Sequence, residues 1–172
     1  TLLRRALATA PGDGYLHYQH GKDLQAQGRL GEAAPAYERA LALTGRHDAW
    51  RHDLVVRQLF ALNAARQFEQ ALRFAEAEMP HWPHSPDFFF TLGDLLLSWA
   101  TAEPARAGEL LPMIESSWLR AIEIGEQPAM ADTVRGRGSH LAAHNLAVLC
   151  AGTGRPAQAE QWRVQAVAWA SA

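Results

Sequence analysis

The sequence predicts an all-α chain, a solenoid of about four antiparallel helix pairs preceded by an N-terminal half-repeat. Three observations carry that expectation. A twelve-residue offset across a short polar turn recurs from Gly21 to Ala33, from Leu59 to Ala71 and from Ala147 to Ala159. The step from Ala6 to Ala40 is 34 residues, a helix–turn–helix repeat length. Helix stops recur in phase, with Pro11 five residues after Ala6, Gly45 five after Ala40, and Pro83 at the equivalent place in the next unit.

The elements follow in order. Leu2–Thr9 reads as the end of a helix, which makes residues 1–11 a half-repeat and the chain a piece of a longer protein. Helix pairs are expected over about 14–44, 48–79, 86–124 and 139–170, all in one repeat domain spanning 1–172. The first pair turns at Gln27-Gly28-Arg29-Leu30-Gly31, the second at Ala65-Arg66-Gln67, the last at Gly152-Thr153-Gly154-Arg155. In the third pair the offset from Gly93 to Ile114 is 21, an insertion of about nine residues. Asp13, Asp48, Ser85 and Ser139 stand before helical runs and are expected to cap them. Helices joined by such short turns lie antiparallel. Small Gly21, Ala33, Gly93, Ala147 and Ala159 let their backbones approach, while Leu24, Tyr37, Leu96 and Trp118 fill the gaps. One such pair cannot bury its apolar face alone, so the pairs stack.

Arg5-Ala6-Leu7-Ala8-Thr9-Ala10-Pro11 and Tyr37-Glu38-Arg39-Ala40-Leu41 resemble the closing helix of the tetratricopeptide repeat. His17 and His20 depart from that pattern, standing where Trp and Leu are usual, and the later repeat steps are longer. The resemblance implies a right-handed superhelix whose concave face is lined by the first helix of each pair and holds a protein or peptide. Projected along those helices, the groove takes Tyr15, Tyr18, Lys22 and Gln25 from the first pair and Asp53, Arg57, Phe60 and Asn63 from the second. It takes Asp87, Phe90, Asp94 and Leu97 from the third, and His144, Asn145 and Val148 from the last. This mixture of aromatic, apolar and oppositely charged groups suits a peptide or helix better than a polyanion. Some tetratricopeptide domains clamp a C-terminal carboxylate with Lys, Asn and Arg. The corresponding places here read Tyr18, Lys22, Arg57, Asp87 and Thr91, of which Lys22 alone suits the role, so that specificity is not expected.

Composition narrows the function classes. Hydrophobic residues make up 48% of the 172, charged residues 20%, and the formal net charge is −2. That is globular composition without an electrostatic case for nucleic acid or an anionic membrane. No apolar run approaches the roughly 20 residues of a membrane span, and the expected location is the cytoplasm. The single cysteine, Cys150, excludes an internal disulfide and reads as a buried thiol in an apolar helix.

Catalytic patterns are missing, and neither a catalytic residue nor a cofactor is expected. His140 and His144 are four apart on one helix face, but zinc would need a third ligand and no Glu completes the His-Glu-x-x-His pattern. Arg135-Gly136-Arg137-Gly138-Ser139 has the composition of an anion cradle, yet reads more simply as an inter-helix loop. Of the six tryptophans, Trp118 and Trp162 read as core and Trp82 as a packed turn residue. Trp50, Trp99 and Trp169 are candidate exposed anchors, although an aromatic at helical spacing is more often core.

A narrower resemblance lies in the C-terminal half. Ala121-Ile122-Glu123-Ile124-Gly125-Glu126, Gly136-Arg137-Gly138-Ser139 and His144-Asn145-Leu146-Ala147 resemble the repeat region that follows the catalytic domain of certain bacterial family 2 glycosyltransferases. Pro86-Asp87-Phe88-Phe89-Phe90-Thr91-Leu92-Gly93 is similar to a helix opening that region. The resemblance implies an accessory domain that positions an acceptor, packs on a catalytic domain of the same chain, or mediates dimerisation. It would not itself catalyse, since the chain has no Asp-x-Asp. The apolar run Val167-Ala168-Trp169-Ala170 adds an expectation of self-association, making a second copy a further partner.

Overall fold

The computed structural model describes residues 2–172; Thr1, where the expected half-repeat begins, lies outside them. The described residues form nine α-helices and no strand, and the all-α expectation holds. The chain divides into two compact units, the first ending at Glu78 and the second running from Met79 to Ala172.

The first unit holds α1 (Leu2–Thr9), α2 (Gly14–Ala26), α3 (Leu30–Leu43), α4 (Arg51–Ala64) and α5 (Phe68–Glu78), each packed on the next in sequence. Asp13 caps α2, its carboxylate accepting the Leu16 N–H at 3.1 Å. Leu24, Tyr37, Leu54, Leu59 and Leu62 form the core with Ala33, Ala40, Ala71 and Ala75. Arg51 fastens three helices, donating to the Leu41 and Thr44 carbonyls at 3.2 Å and to Glu78 at 2.7 Å. Asp48 does not cap α4. Trp50 occupies that position, and Asp48 instead accepts the Gly45 N–H at 2.7 Å, closing the loop before it.

The second unit holds a 3-10 turn (Met79–His81), α6 (Pro86–Ala102), a second 3-10 turn (Pro104–Arg106), α7 (Ala107–Ile124), α8 (His140–Gly152) and α9 (Pro156–Ala170). Here too each α-helix packs on the next. Ser85 caps α6 through the Phe88 N–H at 3.0 Å, with Pro86 in the first turn. The insertion expected in this pair is absorbed by longer helices and the second 3-10 turn. Trp99, Trp118, Phe88, Leu95, Leu96, Leu110, Ile114 and Leu146 are fully buried, and so is Cys150. Trp99 is therefore core, covered by the Arg106 guanidinium 4.1 Å from its ring centroid. Trp162, read as core, is only half-buried because α9 buries Ala166 alone.

One turn geometry recurs in three places. Gly28, Arg66 and Gly154 have positive φ, and each precedes a residue whose N–H reaches back to a carbonyl five positions earlier: Arg29 to Leu24, Gln67 to Leu62, Arg155 to Cys150. This left-handed closure satisfies carbonyls that a helix end leaves open and reverses the chain in a few residues. It forces α2/α3, α4/α5 and α8/α9 to fold back as pairs.

Candidate functional site

In the first unit, α2 and α4 are joined by a polar chain that runs from a buried bond to half-buried ones. The Tyr18 hydroxyl and the Arg57 Nε both donate to Asp53 Oδ2, each at 2.5 Å. Arg57 Nη1 reaches Gln25 Oε1 at 3.3 Å, and the Tyr37 hydroxyl donates to the same oxygen at 2.6 Å. Burial pushes the Tyr37 phenol up to about 12, so it remains a donor. Burial works against the charge on Arg57, but its bond to Asp53, the Asp53 charge and the neighbouring Tyr37 and Tyr18 together outweigh that, and the guanidinium stays firmly protonated. At one end, Trp50 stacks on Tyr18 with centroids 5.1 Å apart and meets Tyr15 edge-on at 5.5 Å. Lys22 Nζ lies 5.1 Å from the Tyr18 ring centroid. Tyr15 and Phe60 stay 49% and 45% exposed beside this chain, and Asn63 is half-buried.

In the second unit, α6 and α8 are joined in a comparable way. Asn145 Nδ2 donates to Asp94 Oδ1 at 3.2 Å. The Trp118 indole N–H also bonds the Asp94 carboxyl and lies 3.3 Å from the Phe90 carbonyl. The Trp118 and Asn145 side chains that bond Asp94 also line a groove of about 470 Å³, together with Leu97, Leu111, His144, Val148, Leu149, Gly152 and Thr153. Most of these are apolar, and Leu97 and Val148 are exposed.

The loop from Gly125 to Ser139 supplies the rest. Asp87, fully buried at the start of α6, accepts Arg137 Nη1 at 2.7 Å and the Val134 N–H at 3.1 Å. Arg137 also lies over the Phe90 ring, 5.5 Å from its centroid. Glu126 accepts the Gly136 N–H at 2.8 Å and the Ser139 hydroxyl at 2.5 Å. The anion in this glycine loop is thus a carboxylate of the same chain. Ser139 does not cap α8, because its hydroxyl is turned to Glu126. A side chain at Gly138 would run into the Gly125 backbone, so the two ends of the loop cross where only glycine fits.

Of the residues projected onto the groove, Lys22, Arg57, Asn63, Phe90, Asp94 and Asn145 are half-buried, while Phe60, Leu97, His144 and Val148 are exposed. Tyr18, Asp53 and Asp87 are buried and hold the helices together. The sequence reading passed over Trp118 and Leu111 as lining and Glu126 as a loop anchor. The first two come from α7, a second helix of its pair, and only packing brings them to this face. Among the described residues no three His, Cys, Asp or Glu side chains gather as a metal cluster, and no helix is long and apolar enough to cross a membrane. No protein-family model and no curated protein matches the chain.

Asp94 is the titrating group at this site. Burial pushes its carboxyl up to about 6, against the pull of the Trp118 N–H and of Arg137. The unfolded chain takes up this proton near pH 4. The contribution to stability is therefore fully present below about pH 4 and lost as the pH rises through about 6. In Asp94→Asn that dependence is absent. Urea unfolding followed by tryptophan fluorescence should show the variant gaining on the wild type between pH 4.5 and 7.5. A constant difference across that interval would contradict the assignment.

Proposed function

We propose that this chain is a solenoid of antiparallel helix pairs that holds a protein or peptide partner, rather than turning over a substrate, on faces built from the first helices of its pairs. The observation that carries the reading is the junction of alternate helices. α2 and α4 in one unit are cross-linked by a buried polar bond, and α6 and α8 in the other by a half-buried one. Each pair of helices leaves large apolar groups exposed alongside: Tyr15 and Phe60 on one face, Leu97 and Val148 on the other. Succession of packed pairs with first helices side by side is the local geometry of a repeat array. Rigid backbone, locked polar side chains and solvent-facing apolar anchors favour binding of a partner, because little side-chain freedom remains to be lost.

Panning a random peptide library on the whole chain tests this. Selected peptides should bind at micromolar Kd. Tyr15→Ser with Phe60→Ser, or Leu97→Ser with Val148→Ser, should weaken a given peptide by about tenfold or more. All four positions are exposed, so the variants are expected to fold. Peptides that bind equally well to both double variants would place recognition elsewhere and overturn the reading.

A further inference from the structure

We infer that the groove beside Asp94 takes an extended segment of a partner protein in which a Lys or Arg stands two residues from a large apolar residue, the cation meeting Asp94 and the apolar side chain entering between Leu97, Trp118 and Val148. This deepens the partner-binding function and rests on it.

Charge complementarity selects the occupant. Three charged groups cluster where α6 meets the loop before α8: Asp87, Asp94 and Arg137. Arg137 is committed to Asp87 at 2.7 Å. Among the described residues no cation forms an ion pair with Asp94, whose hydrogen-bond donors are the neutral Asn145 amide and Trp118 indole. The charge of Arg137 reaches Asp94 only from its pairing with Asp87, so this half-buried carboxylate has no directly paired cation, and an incoming one supplies it. Geometry sets the spacing. Leu97 stands one helical turn beyond Asp94, about 5 Å along the axis. In an extended peptide, residues two apart project to the same side about 7 Å from each other. A cation and an apolar side chain in that register reach the carboxylate and the groove together. The opening, about 470 Å³, lies in the range of pockets that accept bulky groups.

Such binding depends on pH with a defined sign. Asp94 attracts a cation only when ionised, and its carboxyl titrates near 6. The groups facing it are Arg137 from the loop, Asp87 two turns earlier on α6, the Trp118 N–H from α7, and Asn145 with neighbouring His144 from α8. His144 is the other ionisable side chain lining the groove. His144→Gln therefore separates the two contributions.

The experiment uses the whole chain and four fluorescein-labelled heptapeptides centred on Lys-Thr-Leu, Glu-Thr-Leu, Gln-Thr-Leu and Lys-Thr-Ser, read by fluorescence anisotropy. The Lys-Thr-Leu peptide should bind about tenfold or more tightly than the other three at pH 7.5. Its affinity should fall by a similar factor at pH 5, in the wild type and in His144→Gln alike. Asp94→Asn, nearly the same shape, should remove both the charge preference and the pH dependence. Val148→Lys, at a surface position, should abolish binding without altering the fold. A Glu-Thr-Leu peptide that binds as well, or an Asp94→Asn variant that binds Lys-Thr-Leu undiminished, overturns the inference. So does a dimer by light scattering that Val148→Lys dissociates and peptide does not, since a second copy then fills the groove. Library peptides that lack the basic–apolar pattern and ignore Asp94→Asn would overturn this inference while the broader binding function stands. A library yielding no binder overturns both.

Discussion

Arg137→Ala is expected to lower the free energy of unfolding of the second unit by about 3 kcal/mol, the lower end of the range for a broken buried ion pair. The reason lies in what the substitution leaves behind. Asp87 is fully buried at the start of α6, and its carboxylate accepts Arg137 Nη1 at 2.7 Å and the Val134 N–H at 3.1 Å. Removing the guanidinium strands a carboxylate without its countercharge. The Val134 N–H and the positive end of the α6 dipole remain, and they moderate the loss. Arg137 itself is 24% exposed, so water reaches its side of the pair and keeps the effect from the upper end. Arg135, two residues earlier in the same loop, is exposed and is the matched control; Arg135→Ala should change stability by no more than about 0.5 kcal/mol. Urea denaturation monitored by tryptophan fluorescence compares the two. Equal midpoint shifts would show that Asp87 does not depend on Arg137. Because this pair ties the loop to the start of α6, Arg137→Ala should also loosen the loop, visible as faster amide exchange at Val134 and Gly136.

That pair marks the boundary of what the chain displays before it folds. Helix positions were legible because their causes are local: prolines and glycines at the stops, Asp13 and Ser85 before apolar runs, small residues at fixed offsets. The projected face was legible at Phe60, Leu97 and Val148, where helical periodicity alone decides exposure. Asp87 was placed on that face by the same periodicity and lies inside instead, because its partner stands 50 residues away in an irregular loop. Asp48 and Ser139 show the same limit at short range. Each has the chemistry of a cap, but a competing partner, the Gly45 N–H in one case and Glu126 in the other, takes the side chain. Spacing finds the elements, whereas polar partnerships across elements depend on which loop arrives where.

Packing between elements can be tested at the site where small meets large. Gly93 on α6 lies against the Trp118 ring of α7, and a Cβ there would overlap the indole. Trp118→Ala should cost about 3–5 kcal/mol, since a fully buried indole leaves a cavity and Asp94 loses a donor. Gly93→Leu should also destabilise, by about 1–3 kcal/mol or more, because the wild-type interface has no room for it. The informative species is the double variant. A leucine at position 93 would occupy space vacated by the indole, so the two losses should not add. A coupling of about 1 kcal/mol or more in the compensating direction is expected from a double-mutant cycle in urea. Strict additivity would mean that Gly93 serves the α6 backbone alone and that close approach of α6 to α7 does not depend on it. The cycle also separates packing from recognition. Trp118 lines the groove beside Asp94, so Gly93→Leu/Trp118→Ala would recover stability without restoring the indole N–H, and any partner bound there should still bind less well.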